Sequence, residues 1–237
     1  MNDAGSFWVF LSASPLFWLA LTLTSYLLAN AISIRCKRHS LANPVLISVA
    51  LLCAALVLTG TDYTVYFEGA QFIHVLLGPA TVALAIPALK LRHEIRRSIL
   101  PIGAALTAGS LTGVISAIGI ARLLGAEHEI IASVAPKSVT APIAIGIADK
   151  IGGIPEVATA VVLITGIVGA AIGGPLMRLL RIKDWRARGF AMGISAHGIG
   201  TASMMQVNAT AGTFAGVAMG LNGILTAFVA PLVMTFF

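Results

Sequence analysis

The sequence predicts an all-α integral membrane protein: about six full transmembrane helices plus two re-entrant or discontinuous helical segments, in a single domain over residues 1–237. Three observations carry this. Hydrophobic residues make up 58% of the 237 and charged residues 10%, with a mean hydropathy of +0.96, against about 25% charged in a soluble domain. The apolar runs are long and lack the alternation of outer-membrane barrel strands, so the spans should be helices. Finally, three short loops (35–39, 90–97 and 178–188) hold 12 of the 15 Lys and Arg residues. The net charge of +6 therefore reports orientation and not nucleic-acid binding.

Segment one runs from Leu16 to Ile34, with Trp8 and Trp18 as expected interface anchors. The acidic Met1-Asn2-Asp3 start argues against a cleaved signal peptide. After the basic loop Arg35 to His39 comes segment two, Pro44 to Gly60, and then a loop holding Asp62 and Glu68. Segment three, Phe72 to Leu89, contains Pro79 and Pro87; segment four runs from Ile99 to Leu124. Segment five is the broken stretch 130–149. Segment six covers Val157 to Leu180, segment seven the glycine-rich stretch 190–206, and segment eight Ala211 to Phe237. Cys36 and Cys53 match neither a disulfide framework nor a metal motif.

The positive-inside rule places the three basic loops in the cytoplasm and the acidic loops at 62–68 and 127–129 outside. If segment five crossed fully, the basic loop at 181–188 would fall outside. Re-entry of segment five from the outer side, and of segment seven from the cytoplasmic side, removes the conflict. The alternative is two discontinuous crossing helices with the rule broken once. A weak repeat ties the interrupted segments together: Gly78-Pro79-Ala80-Thr81-Val82 lies over Ala135-Pro136-Lys137-Ser138-Val139 at an offset of 57. Repeats that place interrupted helices at equivalent positions point to a transporter's central site.

Segment five holds a cation, hydroxyls and two prolines inside apolar flanks. Pro136 and Pro142 cannot donate to the carbonyls of Ala132 and Ser138, and unpaired carbonyls in lipid are tolerated where they line a cavity. Lys137 lies roughly 10 Å into the segment at helical rise. A central lysine costs about 2.5–3.5 kcal/mol on insertion scales, which makes it a functional candidate. The competing reading is a lysine that snorkels beside a proline kink. In segment seven, His197 stands among Ser195, Gly198, Gly200 and Thr201. It could meet an anion or relay a proton, or simply donate to a neighbouring carbonyl.

Lys137, Ser138, Thr140, His197 and Thr201, with Gly198 and Gly200 allowing close backbone approach and Thr81 as a weaker candidate, would suit a carboxylate that also carries a hydroxyl. Pro79, Pro87, Pro136 and Pro142 are the expected helix breaks. Asn208 and Asn222 are expected in helix-to-helix contacts. Glu127-His128-Glu129 is a poor metal shell, and no nucleophile–base pair, phosphate loop or nucleotide motif is present. Neither an enzyme nor a cofactor or metal is expected; coupling to protons or sodium is left open.

Four stretches, Leu77 to Pro87, Pro136-Lys137-Ser138-Val139-Thr140-Ala141-Pro142-Ile143-Ala144, Ile151-Gly152-Gly153 and Ala196-His197-Gly198-Ile199-Gly200-Thr201-Ala202, resemble the CidB/LrgB family of bacterial antiholin-like membrane proteins in order and spacing. The resemblance implies two functions. One is modulation of murein hydrolase activity and lysis with a holin-like partner of the CidA/LrgA type. The other is transport of small monocarboxylates, since the plastid glycolate–glycerate translocator is similar and bacterial relatives are linked to pyruvate. The favoured expectation is a carrier in the bacterial inner membrane for a glycolate, glycerate or pyruvate-class acid. Its partners would be the substrate, the bilayer and, potentially, a second copy of the chain or a holin-like subunit, with no nucleic acid.

Overall fold

Proline and capping residues set most helix starts in this chain. The computed structural model describes residues 14–37 and 42–236, with the side chains of Leu77 and Thr81 excepted. Trp8, Arg38 and His39 lie outside the described residues. The chain packs as two compact units, Met1–Ala83 and Leu84–Phe237.

Among its described residues the first unit contains three helices. Helix α1 (Pro15–Arg35) starts on Pro15, where the missing N–H costs nothing. In α2 (Pro44–Thr59) the Asn43 side chain accepts from the amides of Val45 and Leu46, and Gly60 closes the helix at φ 63°. Asp62 accepts from the amide and hydroxyl of Thr64 at the start of α3 (Tyr63–Ala83). Those bonds hold its carboxyl below the usual range. Segment three thus begins at Tyr63 and not at Phe72, and Glu68 lies within the helix instead of in a loop. Trp18 is fully buried and sits edge-on to Tyr66 at 5.9 Å. It is a packing residue between α1 and α3, not an interface anchor. Pro79 is accommodated inside α3 without ending it.

The second unit begins with two short helices, α4 (Ala85–Lys90), which contains Pro87, and α5 (Arg92–Arg97). Then follow α6 (Ile99–Leu123), α7 (His128–Val134), α8 (Ala141–Lys150), α9 (Pro155–Leu179), α10 (Trp185–Val207) and α11 (Ala209–Met234). Among the described residues five stretches are long and apolar enough to cross a membrane: Pro15–Arg35, Tyr63–Lys90, Ile99–Leu123, Pro155–Leu179 and Ala209–Met234. The apolar α2 has 16 residues, about 24 Å of helix, and is the sixth candidate.

Both broken segments fold back on themselves. Past the end of α8, the amide of Ile154 donates to Ser133 Oγ in α7 at 2.7 Å. A Cβ on Gly153 would stand 2.8 Å from the Ser133 nitrogen. A continuous crossing would separate these positions by well over 15 Å, so α7 and α8 form a helical hairpin with its tip at 135–140.

Helix α10 breaks at His197, whose φ is 39° and ψ −127°. A Cβ on Gly200 would lie 2.6 Å from the Met192 carbonyl oxygen, a pair about 12 Å apart in a straight helix. The first turn of α11 touches both arms, Ala211 meeting Gly189 and Gly212 meeting Met205. The 25 residues of α9, about 37 Å, lead from the base of the first hairpin to the other, so the two enter from opposite ends. Arg97 and Arg186 line one cavity, so two basic segments share one end, as the charge pattern requires if both broken segments re-enter.

Candidate functional site

The hairpin tips converge on the middle of the second unit, and one side chain joins them. Asn222 Nδ2, near the midpoint of α11, donates to Ser138 O at 3.1 Å and to Ile194 O at 3.2 Å. Its Oδ1 accepts from Thr226, which pairs with Ser110 on α6. Carbonyls freed where helices break are thereby satisfied inside the protein, the condition for irregular backbone at membrane depth.

Pro136 and the turn around it keep residues 135–140 out of helical continuity, and α8 restarts with Pro142 in its first turn. That irregular stretch presents Lys137 and Ser138 to a cavity of about 580 Å³ between α6 and the first arm of α10. Ala105, Ala108, Gly109, Thr112 and Gly113 supply one wall; Ala187, Ala191, Ile194 and Ser195 supply the other. The size suits a small organic acid, since ligand pockets run from about 300 to 1,000 Å³. Lys137 is half-buried, and its Nζ lies 3.5 Å from Ser138 Oγ. Among the described residues it forms no ion pair. A Cβ on Gly113, near the midpoint of the 25-residue α6, would meet Ser138 Oγ at 3.4 Å. Lys137 therefore sits at mid-length of the spanning helix, away from its ends.

The remaining expected site residues lie elsewhere. His197 is buried, and its Nε2 is 3.0 Å from Val162 O on α9. A carbonyl only accepts, so this nitrogen carries the proton. The imidazole also lies so close to Gly166 that a Cβ there would be 2.7 Å from Cε1. Thr201 Oγ1 donates to the His197 carbonyl at 2.8 Å. Gly200 packs against Met192, and Gly198 faces Met219. Thr140 is the N-cap residue of α8 and makes no side-chain cap bond. Of the expected residues described in the second unit, only Lys137 and Ser138 line the cavity. Thr81 lies in α3 of the other unit with its side chain outside the description. Thr112 went unremarked in the sequence because a hydroxyl in a span ordinarily bonds back to its own helix.

A family model for the LrgB-like family matches residues 22–236. The chain belongs to the LrgB-like family. It is 36% identical over 194 residues to the uncharacterized protein YxaC of Bacillus subtilis, covering 82% of this chain and 84% of that one. It is 35% identical over 218 residues to YwbG of the same organism, also uncharacterized, covering 92% and 96%. An uncharacterized protein of Haemophilus influenzae is 35% identical over 213 residues, covering 90% and 92%. No solved structure matches the chain. Membership and the apolar helices together make this a multi-pass membrane protein.

Proposed function

We propose that this LrgB-like chain is an inner-membrane carrier for a small monocarboxylate or 2-hydroxy acid of the glycolate, glycerate or pyruvate class. The observation that carries the reading is Lys137: a cation at mid-length of α6, without an ion pair among the described residues, beside hydroxyls in a cavity of about 580 Å³. A lone charge at that depth is costly, and an anionic ligand would offset the cost. Lys137 would neutralise the carboxylate, and Ser138 and Thr112 would bind its oxygens. Opposed hairpins around a central site suit alternating access, in which one part of a repeat-built carrier moves against another. His197, Thr201, Gly198 and Gly200 take a positioning role in this reading, holding the second tip against α9 and α11.

The test is uptake of labelled glycolate and pyruvate into proteoliposomes containing this chain alone. Saturable uptake that falls at least tenfold in Lys137→Ala, with unchanged monodispersity and melting temperature, is the expected result. No flux of any small acid from correctly folded protein would sink the carrier reading and leave that of a lysis regulator with a holin-like partner.

A further inference from the structure

A second cavity, of about 390 Å³, opens at the end of the bundle where the basic segments meet, and the carrier reading does not use it. Arg97, Ser98 and Pro101 line it from one side, Asp184, Arg186 and Phe190 from another. Ala105 and Ala187 belong to the walls of both cavities, so the two meet there. The shared wall is made of small side chains, one from α6 and one from α10, beside the apolar cluster of Ile102, Phe190 and Ile194. Following α6 from Ile99, two residues past Arg97, to Gly113 covers roughly 21 Å at helical rise, leading from the basic end to Lys137.

The two arginines differ. Arg186 is spoken for: its Nη2 lies 2.8 Å from Asp184 Oδ2, and its Nε donates to the same carboxylate at 3.1 Å. Asp184 also caps α10 through the Arg186 amide. That pairing holds the Asp184 carboxyl below the usual range, chiefly through the Arg186 hydrogen bond. Arg97 makes no ion pair among the described residues. The mouth therefore presents one guanidinium in an ion pair and one without, with the Glu94 carboxylate near enough to act on Arg186 as well, and a guanidinium's planar fork matches a carboxylate in bidentate fashion.

Resting on the carrier reading, we propose that Arg97 forms an outer capture site for the same monocarboxylate, which then passes between α6 and α10 to Lys137. The neighbouring Arg186–Asp184 pair forms part of the same wall. Capture is long-range and screened, with a Debye length of about 8 Å at physiological ionic strength. A charge at such a rim acts on the association rate and its salt dependence.

The experiment compares glycolate uptake by the unsubstituted chain, Arg97→Gln and Arg97→Lys at low and high salt, in proteoliposomes of known orientation, with substrate offered to the basic face. In Arg97→Gln the KM at low salt should rise on the order of three- to tenfold. The salt dependence should flatten, kcat should hold, and Arg97→Lys should recover most of the loss. If the unsubstituted chain transports and Arg97→Gln keeps both its KM and its salt dependence, Arg97 merely marks the cytoplasmic end and the capture site is refuted. If KM changes equally in Arg97→Lys and Arg97→Gln, the effect is steric and the proposal falls as well. Should the unsubstituted chain transport no acid, the carrier reading fails first and takes this one with it.

Discussion

The two hairpins of the second unit are built from opposite materials. In 128–150 the turn is a six-residue irregular stretch, 135–140, with Lys137 and Ser138 turned to a cavity. In 185–207 the turn is a single residue, His197, held in a backbone conformation rare for any residue with a Cβ and costing on the order of 1–3 kcal/mol. The second hairpin offsets that cost by close packing. Gly189 and Gly193 lie directly against the carbonyls of Ala211 and Ala215 on α11. This is the small-residue spacing that lets helices approach in lipid, where hydrophobic burial gives no drive. One hairpin therefore turns Lys137 and Ser138 to a cavity, while the other is packed shut by small residues against α11. In the carrier reading the first carries the ligand chemistry and the second gives it a fixed wall.

Replacing the packing glycines should break this contrast most severely. In Gly193→Leu the side chain would strike the α11 backbone, which cannot swing aside, so a loss of about 3 kcal/mol or more is expected. It would be read as aggregation or loss of the folded peak in detergent chromatography. Gly113→Ala is the matched control: its Cβ would meet only the Ser138 side chain, Oγ at 3.4 Å and Cβ at 4.0 Å. It should melt within about 1 kcal/mol of the parent while raising KM by narrowing the cavity.

Next in size is Asn222→Ala, which leaves the Ser138 and Ile194 carbonyls without their shared donor. The expected cost is about 1–3 kcal/mol, seen as a lower melting temperature, with turnover falling more than affinity because both tips lose their common anchor. A mutant with full turnover would show that the tips do not depend on Asn222.

His197→Asn should do least. Asparagine tolerates positive φ but is too short to reach Val162, so about 1 kcal/mol should be lost. The pH profile of uptake between pH 5 and 8 should keep its shape, because the imidazole is committed to a carbonyl and not to the cavity. A shifted profile would return His197 to the ligand.

Much of this was legible in one dimension. Prolines, a lysine and hydroxyls inside apolar flanks are expensive in a bilayer, so segment five announced its break and its polar tip. The clustering of Lys and Arg in three loops implied that broken segments turn back. Direction was harder to read. A histidine between glycines marks a turn in segment seven, yet nothing in the sequence says whether its ring faces the cavity or α9; that depends on the close fit to Gly166. Trp18 looked like an interface anchor because its burial against α3 depends on Gly69, 51 positions away, whose absent side chain makes the room. Of the Ser110–Thr226–Asn222 chain only Asn222 stood out, as a helix-to-helix contact; Ser110 and Thr226 are unremarkable until α6 and α11 meet.

The central claim is that Lys137, and not His197, answers the charge of a small acid. Calorimetric titration of glycolate into the purified chain, Lys137→Gln and His197→Asn tests it most directly. Binding by the parent and by His197→Asn, with loss in Lys137→Gln, is the predicted result. Undiminished binding in Lys137→Gln would contradict it.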